Sequence, residues 1–259
     1  MALLDIQGLS INFGGLRAVS DFNLQLERGE LVGIIGPNGA GKTTVFNMIT
    51  GEYRPTEGSM EFRPDGRALS LVGRRPDEIT QMGIARTFQN IRLFKELSVV
   101  ENVKIAYHFN VKYSVAHAIM RLPAYHREEE EIHQKSLDFL EIFDLKGRQA
   151  SISKNLPYGE QRRLEIARAL ATQPKVLLLD EPAAGMNPQE IKDLMKLIVW
   201  LKERFDLTII LIEHHMEVIM GVCKRILVLD YGVTIAEGSP DEIKSNPKVI
   251  EAYLGEEAH

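Results

Sequence analysis

The stretch "GPNGAGKTT" (residues 36–44) constrains this chain most, because it stands directly after the short apolar run "ELVGIIG" (30–36). Gly36, Gly41, Lys42 and Thr43 complete the pattern G-x-x-x-x-G-K-[ST]. That pattern calls for a buried strand, then a glycine-rich loop, then a helix. Its glycines let the backbone curl around phosphate oxygens, so Pro37, Asn38, Gly39 and Ala40 become the rim of an anion cradle. Lys42 supplies a point charge for the outer phosphates, and the Thr43 hydroxyl can hold Mg²⁺. Thr44 adds a hydroxyl for an inner phosphate.

Further apolar runs match a buried parallel strand: "KVLLLDE" (175–181), "LTIILIE" (207–213) and "RILVLD" (225–230), with "GIARTFQ" (83–89) a weaker fifth. Helical stretches lie between them. In 188–204, Ile191, Leu194, Met195, Ile198 and Leu201 share one face. Strands alternating with helices indicate a parallel sheet covered on both sides. The first thirty residues instead alternate apolar and polar, as in "LLDIQGLSINF", which favours antiparallel strands. Residues 98–145 hold no convincing strand. There Leu137, Leu140, Ile142 and Phe143 mark an amphipathic helix that Pro123 separates from an earlier one, and the acidic run 128–131 reads as its solvated face. The tail "GSPDEIKSNPKVIEAYLG" reads as two short helices, each with Pro near its first turn. The expected division is an α/β core at 1–90 and 155–238, a helical insert at 91–154 and a helical tail at 239–259.

Composition narrows the partners. The net charge of −5 argues against nucleic acid, which favours a basic face. Cys223 is the only cysteine, so no internal disulfide forms. No uncharged apolar run reaches the length of about 18 residues that spans a bilayer, and "MALLDIQGLS" lacks the build of a signal peptide. Any membrane role is expected to work through partners.

Three other places carry chemistry. Asp180 closes the run "VLLLD", placed to reach Mg²⁺ through water, and Glu181 follows, where it can orient or deprotonate a water aimed at a γ-phosphate. Gln89 and His214 each follow a strand. From the residues alone, Gln89 is either a solvated side chain or a contact to Mg²⁺ or water. His214 is either a structural group or a donor to phosphate, and His215 is expected to be merely exposed. Finally, "NLPYGEQRRLEIARAL" (155–170) reads as a turn opening into a helix at Gly159, a second anion site far from the first.

In order, the loop 36–43, Gln89, the segment 156–161, Asp180 with Glu181, the loop "AAGMNP" and His214 resemble the ATP-binding subunits of ABC transporters. The resemblance implies a P-loop NTPase (RecA-like) core of ABC ATPase type, with an antiparallel β subdomain and an inserted α-helical subdomain. It implies hydrolysis of ATP to ADP and phosphate with Mg²⁺ held by Thr43, Gln89 and Asp180. Phe13, otherwise a half-buried strand residue, becomes the aromatic that stacks on adenine, and His214 the switch histidine. Two such domains close head to tail, so Gly159 and Glu160 would act in trans on a partner's ATP.

The signature segment departs from the common "LSGGQ": Pro157 replaces Ser and Tyr158 replaces the first Gly, while Asn187 and His215 stand where Asp is usual. With "YGEQRRLEIARAL", "LIEHHME" and the ending "EAYLG", the chain looks most like the branch serving branched-chain or hydrophobic amino acid importers. That branch implies a second ATPase subunit (a related paralogue or an identical copy), two integral-membrane permeases pressed by the insert near "FKELSVVENV", and indirectly a solute-binding protein. It places the chain peripherally at the cytoplasmic face of the inner membrane. Urea or amide import and lipopolysaccharide export are the alternatives within transport. A soluble ABC ATPase would need long coiled coils or two ATPase halves, and a nucleotide kinase gives no reason for residues 155–170.

Overall fold

The alternating N-terminal segment forms β1 (Leu4–Phe13) and β2 (Leu16–Leu26), paired antiparallel. The structure, a computed structural model, describes residues 2–108, 111, 119–120 and 123–254. β3 (Leu31–Ile35) runs into the glycine loop, which opens α1 (Lys42–Ile49). β4 (Glu57–Phe62), β5 (Leu69–Ser70), α2 (Pro76–Met82) and β6 (Ile84–Arg86) follow. Among the described residues, α3 (Val99–Tyr107), α4 (Pro123–Ile142) and α5 (Tyr158–Ala171) come next. The chain then makes β7 (Val176–Asp180), α6 (Pro188–Arg204), β8 (Thr208–Ile212), α7 (Met216–Val222), β9 (Arg225–Asp230) and β10 (Val233–Gly238). α8 (Pro240–Lys244) and α9 (Pro247–Leu254) end the described part; Gly255 of the "EAYLG" ending lies outside it.

Two compact units result, residues 1–89 with 175–259 and Asn90–Pro174. The first holds both sheets. One has the order β10-β9-β3-β8-β7-β6, parallel except for β10. β3, β7 and β8 are buried at every position, which is why they read as unbroken apolar runs. The other sheet, β2-β1-β4-β5, is antiparallel. Its inward residues Leu4, Ile6, Leu9, Phe22 and Leu24 join one core with Val45, Phe46, Met48 and Ile49 of α1 and with Val32, Leu178, Ile210 and Leu227 of the parallel sheet. Each such side chain contributes about 1.5–3 kcal/mol when fully buried. The tail helices pack on β10 and belong to this unit. Cys223 is buried under Gly33, and burial pushes its thiol up to about 12.

The second unit is helical, and no strand lies between 98 and 145 among the described residues. Its far boundary falls at Pro174 rather than at 154, because α5 packs on α3 and α4. Residues 155–174, expected in the core, therefore belong here. The acidic run is not wholly solvated: Glu129 takes hydrogen bonds from Lys104 at 3.2 Å and His108 at 2.7 Å, and so ties α4 to α3. α5 opens at Tyr158, one residue before Gly159, because Pro157 with φ −52° and ψ 152° caps it. On its buried side, Arg162 donates to Glu165 at 2.7 Å, with the pair essentially inaccessible to solvent. Glu165 also accepts the backbone N–H of Arg92 at 3.1 Å. Removing one member of a buried ion pair leaves the other charge desolvated. Arg162→Ala is therefore expected to destabilise the chain by about 3–5 kcal/mol in chemical denaturation.

Candidate functional site

The loop from Gly36 to Gly41 has no slack. Gly36 sits at φ +147°, and a Cβ there would lie 2.0 Å from the Leu229 carbonyl oxygen. Gly41, at φ +98°, caps α1 without a side chain, so the first-turn N–H groups face whatever fills the loop. Lys42 is buried, and its Nζ donates to the carbonyls of Gly36 and Pro37, both at 2.7 Å. The ammonium is thereby tied to the backbone of the loop.

A cavity of about 260 Å³ opens over this loop. It is lined by Ala18, residues 38–44, Gln89, Glu181 and His214. Three residues read separately from the sequence thus converge on one wall. Gln89 Nε2 donates to Glu181 Oε2 at 2.7 Å, and His214 Nε2 meets Glu181 Oε1 at 2.5 Å. Glu181 has φ +46°, a left-handed backbone that costs a side-chain-bearing residue about 1–3 kcal/mol. Its N–H bonds to Ile212 O at 2.8 Å, which fixes the end of β7 against the end of β8.

Other sequence candidates take their places differently. Asp180 is 2 % exposed, absent from the cavity wall, and paired with Arg86 at 2.7 Å. Phe13 is half-exposed at the end of β1, also off the wall, with its ring edge-on to Tyr53 at 5.2 Å. Gly159 and Glu160 lie in the first turn of α5 in the helical unit, with Glu160 3.7 Å from Arg148. Tyr158 accepts a hydrogen bond from Arg162 at 3.1 Å. Asn187 caps α6 by accepting from the N–H groups of Gln189 and Glu190, both at 3.0 Å.

Two residues escaped the sequence reading. Arg86 is the buried partner of Asp180. Glu213, 1 % exposed, accepts from the N–H of Ala183 at 2.6 Å and of His214 at 3.1 Å, and so pins the turn that presents His214. His215, expected to be merely exposed, also bonds Glu213 through Nδ1 at 3.2 Å. A hint in the sequence was a single charge in or beside an otherwise apolar strand.

The described residues contain no group of three or more His, Cys, Asp and Glu that could cage a metal. The Thr43 hydroxyl and the Gln89 amide line the cavity over the loop, oxygen donors of the kind that suit Mg²⁺, an ion bound through few protein groups together with phosphate and water.

A strand, a phosphate-binding loop, and a carboxylate flanked by Gln and His on one cavity define a nucleotide-hydrolysing cassette. The family described as ABC transporter matches residues 19–184, and the chain belongs to it. The family described as branched-chain amino acid ATP-binding cassette transporter matches residues 233–259. The chain is 47% identical over 257 residues to the high-affinity branched-chain amino acid transport ATP-binding protein LivG of Escherichia coli K12, covering 98% of each. Its fold matches MJ1267, an ATP-binding cassette of an ABC transporter in its ADP conformation, with TM-score 0.83, 31% identity and coverage of 98% and 99%. It also matches the dimeric post-hydrolysis state of the cassette MJ0796 bound to ADP and Pi, with TM-score 0.76, 26% identity and coverage of 92% and 98%.

Lys42→Ala is expected to weaken ATP binding at least about tenfold, since a charge-assisted contact to phosphate is lost. Titration with a fluorescent ATP analogue checks this, and an unchanged affinity would remove Lys42 from the phosphate site.

Proposed function

We propose that this chain is the ATP-hydrolysing subunit of an ABC importer and powers uptake of branched-chain or other hydrophobic amino acids through partner permeases. The ABC ATPase family and the likeness to LivG along nearly the whole chain support the transport role. The convergence of Gln89, Glu181 and His214 over the phosphate loop carries the chemical part.

In this reading, Phe13 stacks on adenine, and the backbone of Gly36, Pro37, Asn38, Gly39, Ala40 and Gly41 wraps the phosphates with Lys42, Thr43 and Thr44. Thr43, Gln89 and Asp180 would hold Mg²⁺, which would neutralise charge on the phosphate oxygens when bound. ATP entry separates Glu181 from its two neighbours. Its carboxylate then orients a water and takes its proton, while His214 turns to donate to the γ-phosphate. Gln89 is the last residue before the chain enters the helical unit, so its side chain is suited to report on that unit.

Hydrolysis needs a second ATPase subunit, a related paralogue or another copy of this chain, whose ATP meets Gly159 and Glu160. The N–H groups of the first turn of α5 would meet that phosphate. The helical unit would press on two integral-membrane permeases, fed by a solute-binding protein. The chain itself would work as a peripheral subunit at the cytoplasmic face of the inner membrane, without nucleic acid. No helix among the described residues is long and apolar enough to cross a membrane.

Glu181→Gln is expected to bind ATP normally, to slow hydrolysis by about 10²–10⁴-fold and to accumulate as a closed dimer. Phosphate-release assays and light scattering in ATP measure both, and wild-type turnover would refute the role of Glu181. Gly159→Asp is expected to leave ATP binding by the isolated subunit intact and to abolish hydrolysis in the assembled transporter. Weakened binding in the isolated subunit would mean that the segment acts in cis.

A further inference from the structure

Arg86 belongs to no motif, yet three segments of the nucleotide-binding unit meet on its guanidinium. Nη2 donates to Asp180 Oδ2 at 2.7 Å, at the end of β7. Nη1 donates to Asn47 Oδ1 at 2.6 Å and reaches Thr50 Oγ1 at 3.4 Å, on and just after α1. The rings of Phe46 and Phe88 lie 5.4 and 5.0 Å from its Cζ. The Arg86 and Asp180 side chains are 5 % and 2 % exposed.

This anchoring has an electrostatic consequence. A guanidinium stays charged at any pH a protein meets, so Asp180 with Arg86 presents no net charge to an approaching cation. A divalent ion drawn to a lone carboxylate gains Coulomb energy, and a fixed positive charge a few ångströms away cancels much of that gain. At an effective dielectric constant of about 20, the loss exceeds a factor of ten in affinity. Two aromatic faces and two side-chain oxygens keep Arg86 from swinging aside. Triphosphate oxygens, by contrast, supply enough negative charge to outweigh it.

We propose that Arg86 is a positioning residue that competes with the divalent cation for Asp180, so that the metal is held only together with nucleotide phosphates. The inference rests on the reading of Asp180 as the metal-bearing carboxylate.

The test uses Mn²⁺ as a paramagnetic probe, titrated into the full chain without nucleotide and followed by electron paramagnetic resonance. Wild type is expected to bind weakly. R86Q, which keeps a hydrogen-bond donor, and R86M, which keeps the packing between the rings, are expected to bind Mn²⁺ at least about tenfold more tightly. R86K keeps the charge and should match wild type, and D180N added to R86Q should erase the gain. A folded R86Q or R86M, judged by near-UV circular dichroism, with wild-type Mn²⁺ affinity overturns the proposal. So does R86K that gains affinity, and this variant decides the matter if both neutral ones fail to fold. D180N alone tests the underlying reading: if ATP binding keeps its metal dependence in that variant, the assignment of Asp180 fails. If that dependence is lost while R86Q gains nothing, only the role of Arg86 fails.

Discussion

The burial of α1 is the constraint on which the phosphate end of the molecule depends. Val45, Phe46, Met48 and Ile49 are closed to solvent between an antiparallel sheet and a parallel one. A helix gripped on both sides cannot tilt, so its N-terminus points where the two sheets aim it. The loop before it is equally fixed, since Gly36 lies against the Leu229 carbonyl and the Lys42 ammonium is tied to two loop carbonyls. An anion therefore meets N–H groups already in position, and little ordering cost remains to be met on binding.

Buried charge is the second theme, and both units treat it alike. Arg86 with Asp180 in one and Arg162 with Glu165 in the other are ion pairs closed to solvent. Such pairs contribute little net stability over well-packed apolar residues, but parting them would leave a charge desolvated and unpaired. Glu213 works in the same way with backbone donors, joining the turn before α7 to the loop that follows β7. Of these charges only Asp180 is also proposed to serve the nucleotide, through its metal; Arg86, Arg162, Glu165 and Glu213 hold the segments around it.

What the sequence disclosed follows from the range of the interactions. β3, β7, β8 and β9 were legible because strands buried on both faces have apolar centres, and the glycine loop because its chemistry is local. β4 was not, since only Met60 and Phe62 of its six residues are buried, and β5 was not, since a strand of two residues has no periodicity and depends on its neighbour. The partners of Arg86 and Glu213 lie 94 and 30 residues away in sequence, beyond any pattern in a window. The helical unit extends past 154 for the same reason: α5 owes its place to packing on α3 and α4. Gln89, Glu181 and His214 could each be singled out, but their mutual hydrogen bonds could not.

The backbone of Glu181 has an evolutionary corollary. Its left-handed φ suits glycine or asparagine better than glutamate, so either replacement would relax the chain locally. In the role proposed for Glu181, stability and turnover pull this position in opposite directions. A library selected only for heat resistance would drift towards inert proteins here, whereas a selection for growth on the transported solute would hold the strained residue in place.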